Sequence, residues 1–257
     1  MKVVIAGGTG SVGRHLADDF AGRGDEVTIL TRSPRADIAH RQVRWDGRTA
    51  GPWADELAGA IVVNLAGELV DRRPTAKNIE LLRRSRVDPA KALVEAASRV
   101  DTPPALWLQM STLAIYGDAG EGLVDERHPV ADGPPQMAGV ARPWEHAVHG
   151  AAADRLVVMR TGIVLDRRTP ALDRLVQLTR LGLGGRISAG MQWISWIHVD
   201  DFLRAVQSIR DRDDLAGTVH VTAPHPIRNR EMMAALRSAP PPPWSPPPPK
   251  PLVPLRA

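Results

Sequence analysis

Gly7, Gly10 and Gly13 recur at intervals of three, and Gly8, Gly10 and Gly13 also satisfy the spacing G-x-G-x-x-G. A glycine has no Cβ, so a backbone built this way can come close to a pyrophosphate. Thr9, Ser11 and Val12 between them carry the turn into the start of a helix, whose free N–H groups and positive end suit an anion. Further on stand Thr31, Arg32, Ser33 and Arg35. Dinucleotide sites selective for NAD(H) place Asp or Glu there to accept from the ribose 2′-OH. A carboxylate would repel a 2′-phosphate, whereas guanidinium and hydroxyl groups bind one through charge-assisted hydrogen bonds. The two sets together predict a site for NADP(H) in preference to NAD(H).

These residues need elements to hold them. Val3, Val4 and Ile5 read as a buried strand, and Val12, Leu16 and Phe20 recur at helical spacing behind the glycines. Val27, Ile29 and Leu30 predict a second strand over 26–32, bounded by Gly24-Asp25 and Ser33-Pro34. A short third strand is expected at 42–45 and a clearer one at 60–67, ending in Gly67. A long helix is expected over 75–98, kinked or interrupted at its start by Pro89. A strand at 105–110 leads into Ser111 to Gly117, a polar loop runs through Pro135, a helix continues to about Ala153, and a strand covers 156–160. Strand alternating with helix in this way predicts an α/β fold with a parallel, doubly wound sheet.

Past Gly162 the pattern loosens. Leu172, Leu175, Val176 and Leu178 suggest a helix, and Gly182, Gly184 and Gly185 a glycine-rich turn. Ser195 to Asp201 leads into a helix reaching about Ile209, 218–222 alternates like a strand, and Asn229 is expected to cap a short helix through Leu236. Pro240 to Pro243 and Pro246 to Pro249 predict polyproline II, as a flexible end, a strap over the core, or a ligand for a partner. The expected division is a dinucleotide-binding domain over 1–165, a small substrate lobe interwoven with it over 166–238, and a proline-rich tail over 239–257.

The totals narrow the function classes. At 257 residues, 43% hydrophobic and 24% charged, the chain can bury a sizeable core. The absence of cysteine excludes disulfides, thiol catalysis and cysteine metal sites, and fits a reducing cytoplasm. The opening apolar run is broken by glycines and does not form a signal-peptide core, and no apolar run is long enough to span a bilayer. A net charge of +4 with acidic residues interspersed reads as a solvated surface, not a nucleic-acid stripe.

Several matches in order give the chain a family likeness over residues 1–236. They are Gly7-Gly-Thr-Gly-Ser-Val-Gly13, Thr31-Arg32, Asn64-Leu-Ala-Gly67, Ser85-Arg86, Trp144-Glu145, Arg160-Thr-Gly-Ile-Val164, Gly182-Leu-Gly-Gly185, Ser195-Trp-Ile-His198, Ala223-Pro224 and Arg228-Asn229. The chain resembles an extended short-chain dehydrogenase/reductase of the NAD-dependent epimerase/dehydratase group, and within it a divergent epimerase-like branch. The resemblance implies a Rossmann-type fold, with Leu65, Ala66 and Gly67 lining the adenosine side of the cofactor and Arg86 and Val164 near its far half. In the wider family a Tyr-x-x-x-Lys pair transfers the proton and a Ser or Thr holds the substrate oxygen. Thr112 matches that hydroxyl position, but Met137 and Ala141 fall where the tyrosine and lysine belong. Relatives also continue with more substrate lobe where this chain turns to proline, so a truncated lobe is expected.

The resemblance implies an atypical NADP(H)-dependent oxidoreductase or epimerase-like enzyme acting on a carbonyl or alcohol carbon of a small molecule. Thr112 would hold the oxygen, with water or Tyr116, the only tyrosine, supplying the proton. Tyr116 is left either facing the pocket or packing against the lobe. His128, His146, His149 and His198 are assigned no chemistry. The alternatives are a non-catalytic NADP(H) sensor or scaffold and, less readily, a sugar-nucleotide epimerase. A homodimer is open, and no metal, nucleic acid or membrane partner is expected.

Overall fold

β1 (Lys2–Ala6) places Val3 and Ile5 on one face and Val4 and Ala6 on the other, all without solvent contact. Burial on both faces is the mark of a strand inside a parallel sheet. In the computed structural model, which describes residues 1–238 except Asp71, Arg167, Arg168 and 182–184, that sheet has seven strands. The expected proline-rich tail at 239–257 and Gly182 and Gly184 of the expected turn lie outside the described residues.

In chain order β1 is followed by α1 (Ser11–Gly22), β2 (Glu26–Thr31), β3 (Arg41–Arg44), β4 (Ile61–Asn64), α2 (Ala76–Ala97), β5 (Leu106–Thr112) and α3 (Ala138–His146). Then come β6 (Leu156–Thr161), β7 (Ile163–Leu165), α4 (Pro170–Arg180), β8 (Trp193–Ile194), β9 (Trp196–His198), α5 (Val199–Asp211), β10 (Gly217–Val221), β11 (Ile227–Arg228) and α6 (Asn229–Ser238). The main sheet runs β10-β6-β5-β4-β1-β2-β3, every neighbour parallel. The winding reverses between β1 and β4, which opens a crevice at their carboxyl ends, the place where such sheets bind ligands.

Two cores sandwich the sheet. Leu16 and Phe20 of α1 and Phe202 and Val206 of α5 meet Val3, Ile5, Val63, Leu108 and Met159 on one face. Ala90, Leu93 and Ala96 of α2, with Trp53, Leu57 and Trp144, meet Val4, Val62 and Trp107 on the other. Burying each such large side chain stabilises by roughly 1.5–3 kcal/mol. β10 and α5, from the late part of the chain, belong to these layers. The short pairs β7·β9 and β8·β11 lie outside the main sheet, and α4 packs against α6.

Three local expectations change. α2 runs unbroken through Pro89, capped by Thr75, whose hydroxyl accepts from Asn78 N at 3.2 Å. α3 stops at His146 and not near Ala153, because Val148 and His149 already donate to carbonyls three residues back and Gly150 turns the chain at φ +75°. Asn229 does not cap α6: its Oδ1 accepts from Ile187 N at 2.8 Å, and Glu231 takes the Arg228 N–H at 2.9 Å instead.

Candidate functional site

The turn after β1 is defined by space it does not have. Gly7 has φ +82°, and a Cβ there would lie 2.9 Å from the Leu65 carbonyl. At Gly13 a Cβ would come within 2.6 Å of the Gly7 oxygen and the Gly8 Cα. Gly7 lets the turn lie against the loop after β4, and Gly13 seats α1 against the turn. Gly10 differs: its φ is −74°, a Cβ would meet only the Gly7 oxygen at 3.4 Å, and it lines the cleft. No side chain caps α1 at Gly10 and no acidic residue occupies its first turn. The helix therefore keeps N–H groups and a positive end for a ligand. Ser11, Val12 and Gly13 form that first turn and are not on the cleft lining.

The cleft has a volume of about 1160 Å³. Gly7, Thr9 and Gly10 contribute to it from β1, Thr31, Arg32, Ser33 and Arg35 from β2, and Leu65, Ala66 and Gly67 from β4. Trp45 and Arg48 after β3 and Arg84 and Asp88 of α2 join them. Thr31 is buried, and its hydroxyl accepts from Ser33 N at 3.2 Å while donating to Ser33 O at 3.1 Å. It shapes the turn that presents its neighbours. The Arg32 side chain is 72% exposed and its ion pair with Glu68 is long, at 3.8 Å. Arg35 holds Asp37 at 3.0 and 3.2 Å, and Arg14 donates to the same carboxylate at 3.0 Å. Arg35 and then Arg14 hold the Asp37 carboxyl down to about 2.

The β4 loop is braced from below and behind. Buried Asn64 accepts from Ala66 N at 3.1 Å and donates to Gln109 Oε1 at 3.0 Å. Ser85 accepts from Glu68 N at 3.1 Å, and Arg86 donates to Glu68 O at 3.0 Å. A Cβ on Gly67 would come 3.0 Å from the Arg86 guanidinium carbon, which itself lies 5.2 Å from the Trp144 ring centroid. Burial pushes the Arg86 guanidinium below its usual range. Arg86 thus supports the loop from outside the cleft lining. Val164 sits on β7, paired with Ile197 of β9 and half-buried against the α1/α5 core.

Thr112 closes β5 and caps a 3-10 turn, Leu113–Tyr116, its Oγ1 accepting from Ala114 N at 3.2 Å. Tyr116 is packed, not facing an open pocket: it is buried beside Ile115 and Ala141. Its hydroxyl lies 2.6 Å from Arg160 Nη1 and 2.6 Å from His220 Nε2. Arg160 in turn grips Glu145 at 2.9 and 2.8 Å, and Ser111 donates to Glu145 at 2.5 Å. Glu126 accepts the His220 backbone N–H at 3.0 Å. Burial raises the Tyr116 phenol above its ordinary value and lowers His220, while the hydrogen bonds to Glu145 raise Arg160. Met137, at the tyrosine position, stands at the head of α3, and Ala141 is buried.

Of the eight histidines in the chain, the four assigned no chemistry above do not converge on one site. His128 meets the Tyr116 ring edge-on at 5.7 Å, and the His146 and His149 rings meet at a 60° tilt, 5.0 Å apart, beside a separate hollow of about 490 Å³. His198 caps α5 by accepting from Asp200 N at 3.2 Å. Sequence reasoning missed His220 and gave Glu145, Arg160 and Asn64 no role. The one available signal was a polar residue between Val219 and Val221 in a strand. Among the described residues no three potential metal ligands cluster, and no helix is long and apolar enough to cross a membrane.

Residues 3–141 match the family model for the NAD dependent epimerase/dehydratase family. The epimerase family protein SDR39U1 of Bos taurus is 31% identical over 246 residues, covering 93% of this chain and 80% of the relative. The epimerase family protein Mb2239 of Mycobacterium bovis is 32% identical over 242 residues, covering 92% and 78%. The crystal structure of human epimerase family protein SDR39U1 (isoform 2) with NADPH superposes with a TM-score of 0.78 at 30% identity, over 92% of this chain and 80% of that one.

Proposed function

Because the chain belongs to the NAD dependent epimerase/dehydratase family, we propose that it binds NADP(H) in the cleft between β1, β2 and β4 and exchanges hydride with a small molecule. The observation that carries the reading is the cradle. Gly7 and Gly13 have no room for a side chain, and Gly10 opens onto a cleft whose β2 wall offers Arg32 and Ser33 and no carboxylate over 31–35. The α1 N-terminus and the glycine turn would hold the pyrophosphate, Arg32, Ser33 and Arg35 the 2′-phosphate, and Leu65, Ala66 and Gly67 the adenosine side. The human relative with NADPH supports that choice of cofactor. NADP(H) supplies a hydride donor or acceptor for a carbonyl or alcohol carbon.

At the other end Thr112 holds the substrate oxygen. Its hydroxyl accepts from Ala114 N, and among the described residues its own proton has no acceptor, so it is free to donate. Tyr116 is engaged by Arg160 and His220, which leaves water as the proton source. General acid–base help is worth about 10²–10⁴-fold, so a site without the tyrosine–lysine pair turns over slowly. The protein acts in the cytoplasm on a soluble small molecule. Stopped-flow NADPH oxidation against a panel of carbonyl compounds tests this, and tight cofactor binding with complete inertness refutes it. That result would favour the second reading, a non-catalytic NADP(H) sensor, whose motive is Met137 and Ala141 at the acid–base positions and a locked Tyr116. A sensor requires a partner that binds the NADP+ and NADPH forms differently.

A further inference from the structure

We propose that Arg160 is a positioning residue for the Thr112 hydroxyl, acting through Tyr116; the functional half of this rests on Thr112 holding the substrate oxygen. The register of β5 against β6 pairs Ser111 with Arg160, so both side chains leave the sheet on the face covered by α3. There Glu145 takes two donors of the guanidinium, at 2.9 and 2.8 Å, and the Ser111 hydroxyl at 2.5 Å. A planar fork fixed on one edge holds its three other N–H groups in one fixed plane. One of them, on Nη1, meets the Tyr116 oxygen 2.6 Å away, and the guanidinium carbon also lies 5.0 Å from the phenol ring centroid.

The phenol proton then has one place to go. With Arg160 donating to the oxygen, Tyr116 donates to His220 Nε2 at 2.6 Å, a bond that assigns the neutral imidazole tautomer with its proton on Nδ1. Tyr116 is therefore anchored to β6 and β10 at once. It is also the last residue of the four-residue turn that begins after Thr112. Within that turn Gly117 N donates to Ala114 O at 3.2 Å and Ala114 N donates to Thr112 Oγ1 at 3.2 Å. Fixing the phenol fixes Ala114, and the Ala114 N–H selects the direction of the threonine hydroxyl. Taking a charged pair out of water is costly, and setting one arrangement among several is the use that would justify keeping it.

Tyr116→Phe is the decisive variant. It removes one oxygen and leaves the Arg160–Glu145 pair intact, whereas Arg160→Met strands a carboxylate. The first readout needs no substrate: hydrogen exchange at the Ala114 amide should accelerate at least tenfold in Tyr116→Phe, with NADPH affinity unchanged. The second is a double-mutant cycle on carbonyl reduction. Tyr116→Phe should lower kcat without moving the KM for NADPH, and should have no further effect in a Thr112→Val background. Unchanged Ala114 exchange, or effects that multiply independently of Thr112, overturn the proposal. If the exchange responds as expected while the native protein reduces no carbonyl, the mechanical link stands and the oxygen-holding role of Thr112 falls.

Discussion

Gly10 and Gly13 look equivalent in the sequence, and alanine at each should fail in opposite ways. At Gly13 the added methyl would lie 2.6 Å from two backbone atoms that no rotamer change can move. Overpacking of that kind costs typically about 1–3 kcal/mol. For a chain of this size each kcal/mol moves Tm by roughly 2–4 °C, so Gly13→Ala should melt about 2–12 °C lower. At Gly10 the φ of −74° already suits alanine, and the nearest atom to a Cβ is 3.4 Å away. Losing glycine's freedom in the unfolded chain stabilises by about 0.4–1 kcal/mol where the backbone is compatible, which roughly offsets alanine's poorer capping at this N-cap position, so Gly10→Ala should nearly keep Tm. Its methyl instead stands in the cleft, against the pyrophosphate, and should weaken NADPH by about tenfold or more, roughly 1.4 kcal/mol. Thermal unfolding and fluorescence titration of NADPH on both variants separate the two effects. Gly10→Ala binding NADPH like the native protein would refute the cradle, and Gly13→Ala with native Tm would refute the packing argument.

Arg32→Ala should weaken NADPH by about fivefold, near 1 kcal/mol for a solvent-exposed charge-assisted contact, and leave NADH unchanged in parallel titrations. Arg160→Met should cost about 3–5 kcal/mol in urea unfolding, because Glu145, whose side chain is only 13% exposed, is left without its cation. Burial depresses His220 in the folded state, so the unfolded chain binds the extra proton. That contribution is fully present above about pH 6.5 and is lost as pH falls below it, and a His220→Gln variant should show a flatter fall in Tm over the same window. Burial raises the single tyrosine, so tyrosinate absorbance of the native protein should develop above about pH 10 and return to the ordinary value in denaturant.

What the sequence revealed was whatever depends on short stretches of backbone. The glycine turn, the paired strands and the missing carboxylate after β2 are local, and each forces its neighbours within a few residues. Thr31 lines the cleft and also bonds within its own turn, a double engagement that its residue type alone does not announce. Arg86, which the resemblance implies near the far half of the cofactor, also braces the loop that lines the cleft, a contact set by folding and not by neighbouring sequence. The Glu145–Arg160–Tyr116–His220 chain was illegible because its members come together only through sheet register. A one-residue slip of β6 against β5 would send Arg160 into the apolar α1/α5 core. His220 depends further on β10 docking at the sheet edge, which no nearby residue announces.

That outermost strand also sets an order of events during synthesis. His220 leaves the ribosome sixty residues after Arg160, a lag of roughly 3–12 s at about 5–20 residues per second. A sheet formed from the earlier strands alone would end at β6 with an open edge, and the phenol of Tyr116 would lack its His220 acceptor. A chaperone or a neighbouring nascent chain meeting the protein in those seconds meets a bare strand, and a stalled translation product ending before residue 217 would keep it bare.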